Sequence, residues 1–154
     1  MTTWKSSAPS LQDIAIPAPW TTTKINKWYK NISVPVGCNY IPHNAINQLE
    51  MWQAETFDPF RIDQELSWAS DLGFNTVRVF LHHLLWQQDP QGFITRIETF
   101  LTIAHRNGIR SMLVLFDSVW NPFPKLGTQP VPRHNVHNSG WVQSPGRAYL
   151  ESPE

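Results

Sequence analysis

The sequence predicts an α/β fold built on parallel strands, and three observations predict it. Two stretches of helical periodicity each run into a short, nearly continuous apolar segment. The two units align position by position when Gly73 is laid over Gly108, giving GFNTVRVFLHHLLW against GIRSMLVLFDSVW. A further apolar stretch, VPVGCNYIP, precedes the first unit. Nearly continuous apolar strands are expected where both faces of a parallel sheet are covered. A βαβαβ run with right-handed crossovers follows, which opens either a doubly wound sheet or a (β/α)8 barrel.

Taken in order, residues 1–33 are polar and rich in Pro, Thr and Ser, with apolar residues too scattered for a helical stripe, and read as a leader or arm. Residues 34–154 form the domain proper. The first strand lies in residues 34–42, where Gly37 suggests close backbone approach and Pro42 ends the run. Residues 43–57 read as a loop carrying Glu50, Trp52 and Glu55. Asp58 is placed as an N-cap, Pro59 as the first helical residue, and Phe57 as a staple against Ile62. Ile62, Leu66, Ala69 and Leu72 then make one apolar stripe, which Gly73 terminates. The second unit repeats the plan: Asp89-Pro90 starts a helix, Phe93, Ile97, Phe100, Leu101 and Ala104 form its stripe, and Asn107-Gly108 stop it. Residues 144–154, SPGRAYLESPE, read as the capped start of a third helix.

Composition narrows the function. The chain has 154 residues, 41% hydrophobic and 16% charged, with twelve basic residues balancing twelve acidic ones. Charges of either sign form no run, so there is no stripe for nucleic acid and no polybasic patch for a membrane surface. The single cysteine, Cys38, excludes an internal disulfide. Nothing at the amino terminus reads as a signal peptide, so the chain as written is expected to stay in the cytoplasm. Nothing calls for a cofactor. Eight tryptophans and thirteen prolines concentrate outside the predicted helices and strands.

The loops favour a barrel over a doubly wound sheet. A nucleotide-binding sheet places a Gly-rich turn after its first strand, whereas GCNYIPHNAINQLEMW has one glycine, inside the strand. After the third strand, residues 121–144 run far beyond the roughly 2 to 6 residues usual for such a connection. Long insertions at the carboxyl ends of strands are where barrel enzymes keep their active sites. The prediction is therefore an incomplete (β/α)8 TIM barrel, holding three βα units.

The motifs VGCNYIP, NQLEMWQAETFDP, GFNTVRVFLHHLLW, VLFDSVWNPFPKLG and VHNSGWVQSPG resemble the amino-terminal part of cellulase-like glycoside hydrolases related to glycoside hydrolase family 5. These are retaining enzymes of (β/α)8 fold, including proteins described as 1,4-β-xylanases. The resemblance spans residues 28–150, and departs from the family pattern at His83, where an Asp is expected. It implies cleavage of β-1,4-linked polysaccharide of the xylan, cellulose or mannan type. It also implies that the acid/base and nucleophile glutamates stand on later strands, so that neither catalytic glutamate is encoded in this chain. Arg78 takes the position of an arginine that hydrogen-bonds and orients the nucleophile.

The residues themselves leave Arg78 two readings, support of a carboxylate in a cleft or satisfaction by backbone carbonyls and a structural acid. A guanidinium inside an apolar sheet demands one or the other. Thr76, Arg78, Phe80 and His82 alternate onto one side of a strand, so Arg78 and His82 are expected to face one cleft. Trp52, Trp86, Trp120 and Trp141 all follow strand ends or lie in the long loop, where indole planes suit the C–H faces of pyranose rings. Asp117, aligned with His82 by the repeat, and Asn39 are candidate sugar-hydroxyl ligands. A Glu55/Asp117 catalytic pair has nothing in its spacing to fix the roughly 5 Å separation that retaining hydrolysis needs. His82, His83, His134 and His137 lack diagnostic metal-ligand spacing, so no metal site is assigned. The alternative from another class is a carbohydrate-binding or interaction module without chemistry. Open barrel edges in either case predict self-association or complementation by a carboxyl-terminal part.

Overall fold

The structure, a computed structural model, describes residues 18–152 and falls into two compact units, Met1–Val34 and Pro35–Glu154. The part of the predicted arm covering residues 1–17 lies outside the described residues. In the first unit, α1 (Thr22–Lys30) is a helix where none was expected. Local chemistry accounts for it: Thr21 Oγ1 accepts from the Lys24 backbone N–H, and Lys27 and Lys30 sit in the last turn, where cations suit the helix dipole. None of its residues is buried, which agrees with the absence of an apolar stripe.

The second unit is an α/β structure. Its elements are β1 (Gly37–Asn39), α2 (Gln48–Trp52), α3 (Pro59–Asp71), β2 (Thr76–Phe80), α4 (His83–Gln88), α5 (Pro90–Arg106), β3 (Arg110–Val114) and α6 (Arg147–Leu150). The strands form one parallel sheet in the order β1-β2-β3. Asn39 pairs with Arg78, and Arg78 with Met112, so these three form a row across the sheet. The first strand is shorter than the predicted 34–42, although Tyr40 N–H still donates to the Arg78 carbonyl at 2.9 Å. A Cβ on Gly37 would overlap the Thr76 carbonyl oxygen, which is the close approach its position suggested.

The helix signals hold. Asp58 Oδ1 accepts from Arg61 N–H at 2.9 Å, and Asp89 Oδ1 from Gly92 N–H at 2.9 Å, each followed by Pro. Both helices end alike: Phe74 N–H reaches Ala69 O and Ile109 N–H reaches Ala104 O, each at 2.9 Å, across Gly73 and Gly108 at positive φ. Two stripe positions are corrected. Leu72 and Leu101 are exposed, Leu72 as the C-cap residue of α3. Phe57 is stacked on Trp52 at 5.9 Å between centroids.

Coverage of the sheet also differs from expectation. Val77 and Val79 are buried in a core with Ile62, Leu66, Phe93 and Phe100, whereas Arg78 between them is exposed, as is Met112. Helices cover one face and leave the other open. The run of apolar letters in residues 76–81 concealed this because Phe80, on the open side, carries the Arg78 guanidinium over its ring.

Candidate functional site

The open face carries a continuous array of side chains. Arg78 lies over the Phe80 ring, with its guanidinium carbon 4.6 Å from the centroid, and Nη1 makes a long 3.5 Å contact to Asn39 Oδ1. Phe80 meets Trp141 at 6.0 Å, and Trp141 meets Trp120 edge-on at 5.1 Å with the planes at 66°. Trp120 Nε1 donates to Asp117 Oδ2 at 2.9 Å, and His137 approaches the Trp120 ring at 6.4 Å. Arg78 is thus exposed rather than buried, and a cation–π contact of about 0.5–1 kcal/mol takes the place of a structural acid. Among the described residues no carboxylate pairs with it.

The chain after β3 builds the far side of the array. Asp117 and Ser144 exchange backbone hydrogen bonds at 2.6 and 2.8 Å as an antiparallel bridge, and Asn121 bridges Val142 in parallel. The long loop of residues 121–144 therefore starts and finishes side by side, which brings Trp120 and Trp141 together. Val119, just before Trp120, has φ +86°, a conformation that strains a β-branched residue.

Asn39, Arg78, Asp117, Trp120 and Trp141, chosen from sequence, meet on this face; Trp52, His82 and Trp86 do not. Trp52 is 0% exposed, packed among Phe57, Phe93 and Phe100, with Nε1 donating to the Phe80 carbonyl at 2.9 Å. It belongs to the core because residues 48–52 form α2 rather than a loop. His82 is 1% exposed and caps α4: Nδ1 accepts from Leu84 N–H at 3.2 Å, so Nε2 carries the proton and donates to the Gln143 carbonyl at 3.0 Å. Burial, reinforced by His83 stacked at 4.6 Å and opposed by the Gln143 contact, lowers the His82 pKa to about 4. His82, still extended at φ −144° and ψ 131°, is the last residue before α4, and its ring is held against the Gln143 carbonyl. Trp86, on α4, is half-exposed and borders an open apolar groove of about 490 Å³ with Phe93, Ile97, Leu115, Phe116 and Tyr149.

Two carboxylates on α3 are structural. Glu65 accepts the Tyr40 hydroxyl at 3.0 Å and contacts His43 Nδ1 at 2.6 Å; burial first, then this carboxylate, pushes the Tyr40 pKa up. Asp63 accepts from Arg106 at 2.7 Å and Asn107 at 3.0 Å, tying α3 to α5, and those two hydrogen bonds lower its pKa.

Sequence reasoning missed the carboxamides around α2. Asn47 Oδ1 caps the helix by accepting from Leu49 and Glu50 N–H, while Nδ2 donates to Gly140 O at 2.8 Å and Gln129 Oε1 at 2.9 Å. Gln48 Nε2 donates to Val142 O at 2.8 Å, and Gln53 exchanges hydrogen bonds with Gly127. The Asn-x-x-Glu spacing of Asn47 and Glu50 was the available signal for a helix start. Among the described residues no cluster of three His, Cys, Asp or Glu could hold a metal ion, and no helix is long and apolar enough to cross a membrane. Comparison with protein-family models, curated proteins and solved structures finds no match to this chain.

Proposed function

We propose that this chain is the amino-terminal portion of a (β/α)8 glycoside hydrolase acting on β-1,4-linked polysaccharide of the xylan, cellulose or mannan type, and that the open sheet face forms part of its substrate cleft. The observation carrying the reading is the unbroken array from Asn39 and Arg78 through Phe80, Trp141 and Trp120 to Asp117 on the side of the sheet away from α3 and α5. Indole and phenyl faces match the C–H faces of pyranose rings, and the amide, guanidinium and carboxylate between them suit hydroxyl groups. In the complete enzyme, retaining hydrolysis would use two glutamates roughly 5 Å apart, supplied by strands after β3. Arg78, exposed on this face, would orient the nucleophile among them and favour its ionised form.

The second reading, a carbohydrate-binding module without chemistry, is favoured by one feature: the carboxylate touching the array, Asp117, already accepts from Trp120 Nε1. The test titrates the purified chain with xylo-, cello- and manno-oligosaccharides and follows tryptophan fluorescence. Saturable change is expected with at least one series, and Trp141→Ala should weaken it by about tenfold or more, as for an aromatic anchor. Flat titrations with all three would refute carbohydrate binding. Turnover of an aryl β-glycoside by this chain would place the catalytic pair within it and overturn the assignment of the glutamates to later strands.

A further inference from the structure

The backbone on each side of Trp141 is held by consecutive side chains of one short helix start. Gly140 O accepts from Asn47 Nδ2 and Val142 O from Gln48 Nε2, both at 2.8 Å, and both carboxamides are buried. Asn47 is simultaneously fixed by its own capping of Leu49 and Glu50 N–H and by Gln129, whose Nε2 donates to the carbonyls of Lys125 and Gly127. A Cβ on Gly140 would collide with Ile46, so the loop backbone lies directly against the residues before α2. Trp141 lines a small recess of about 10 Å³ together with Ile41, Gln48, Met51 and Phe80. The start of α2 thus supplies both the backbone grip and part of the surroundings of Trp141.

We propose that Asn47 and Gln48 are positioning residues that fix the Trp141 indole, and through the edge-on contact the Trp120 indole, as a preorganised platform for a sugar ring. The inference rests on the carbohydrate reading of the open face. It assigns a role to residues that touch no ligand: they fix the platform before binding, so that ordering it does not weaken binding. Buried carboxamides suit this task because each carbonyl they release would be left without a partner, which confines the loop to one arrangement.

The test compares Gln48→Met and Asn47→Ser with Gln53→Met. Gln48→Met keeps the length of the side chain and removes the donor to Val142, and Asn47→Ser keeps a capping oxygen but cannot span to Gly140. Gln53→Met removes a buried carboxamide from the same network, at the Gly127 carbonyl that Gln129 also holds, but leaves both carbonyls flanking Trp141 gripped, and so serves as the matched structural control. The first readout is the exciton circular dichroism of the Trp120/Trp141 pair, defined as the signal lost in Trp141→Phe. Gln48→Met and Asn47→Ser should lose most of it and bind oligosaccharide about tenfold more weakly; Gln53→Met should lower the melting temperature to a similar extent while keeping the signal and the affinity. Should Asn47→Ser fail to fold, Gln48→Met decides alone. An unchanged exciton signal in Gln48→Met, or an equal loss in Gln53→Met, would overturn the proposal. If the wild-type chain binds no oligosaccharide the carbohydrate reading fails, while the spectroscopic comparison still decides whether these amides set the indoles.

Discussion

His82 meets Leu84 N–H with Nδ1 and the Gln143 carbonyl with Nε2–H, an arrangement that only the neutral ring satisfies. Its pKa falls from 6.5 in the unfolded chain to about 4 in the fold. Above pH 6.5 both states are neutral and the stability of the fold is undiminished by this residue. As pH falls through 6.5 the unfolded chain binds a proton that the folded chain refuses until about pH 4, so stability declines across that window, by on the order of 3 kcal/mol. Urea denaturation at stepped pH should show that decline, and His82→Asn, which keeps a capping oxygen, should flatten it at a lower plateau. Neither this role nor that of Trp52 was legible from sequence. An indole after a strand end serves a core and a sugar cleft equally well, and only the burial of α2 separates Trp52 from Trp120 and Trp141. Arg78 was legible from strand alternation, and Asn39, Asp117, Trp120 and Trp141 from their places at strand ends and in the long loop.

At the level of elements, the internal repeat was the most reliable guide. The Asp-Pro starts and Gly stops of α3 and α5 are matched by the same hydrogen bonds in both helices. A Cβ at Gly73 or Gly108 would meet no neighbour, so the glycines serve backbone conformation alone, at φ +88° and +71°. Gly73→Ala and Gly108→Ala should each destabilise by about 1 kcal/mol, additively, in chemical denaturation. A much larger loss at either position would mean that packing, not conformation, selects glycine there. Helices α1 and α2 escaped because each is set by a cap and a few residues rather than a long stripe; five residues, as in α2, are too few to show a period. The one-sided coverage of the sheet escaped for a related reason, since apolar spelling does not distinguish a residue under a helix from one such as Phe80 that supports a guanidinium.

For the molecule as a whole, β1 and β3 are each paired on one side only among the described residues. Met112 in β3 and Leu115 and Phe116 just after it are exposed, and Phe116 and Leu115 border the groove of about 490 Å³. Unprotected strand edges next to apolar surface promote pairing between chains. Sedimentation velocity should therefore reveal concentration-dependent association, and Leu115→Lys with Phe116→Lys should shift the chain toward monomer without changing its far-ultraviolet circular dichroism. A monomer at all concentrations would show that this surface is innocuous. The α/β class could be read directly because it depends on repeated local signals; the packing around the sheet depends on contacts between segments far apart in sequence. The two bridges at Asp117/Ser144 and Asn121/Val142 have one more consequence. Residues 130–136 are exposed and lie inside a stem already stitched shut, so exchanging them for sequences of other lengths should cost little closure entropy and leave the paired indoles in register. Such a stem would let the tip of the loop vary in length and sequence while its base stays fixed.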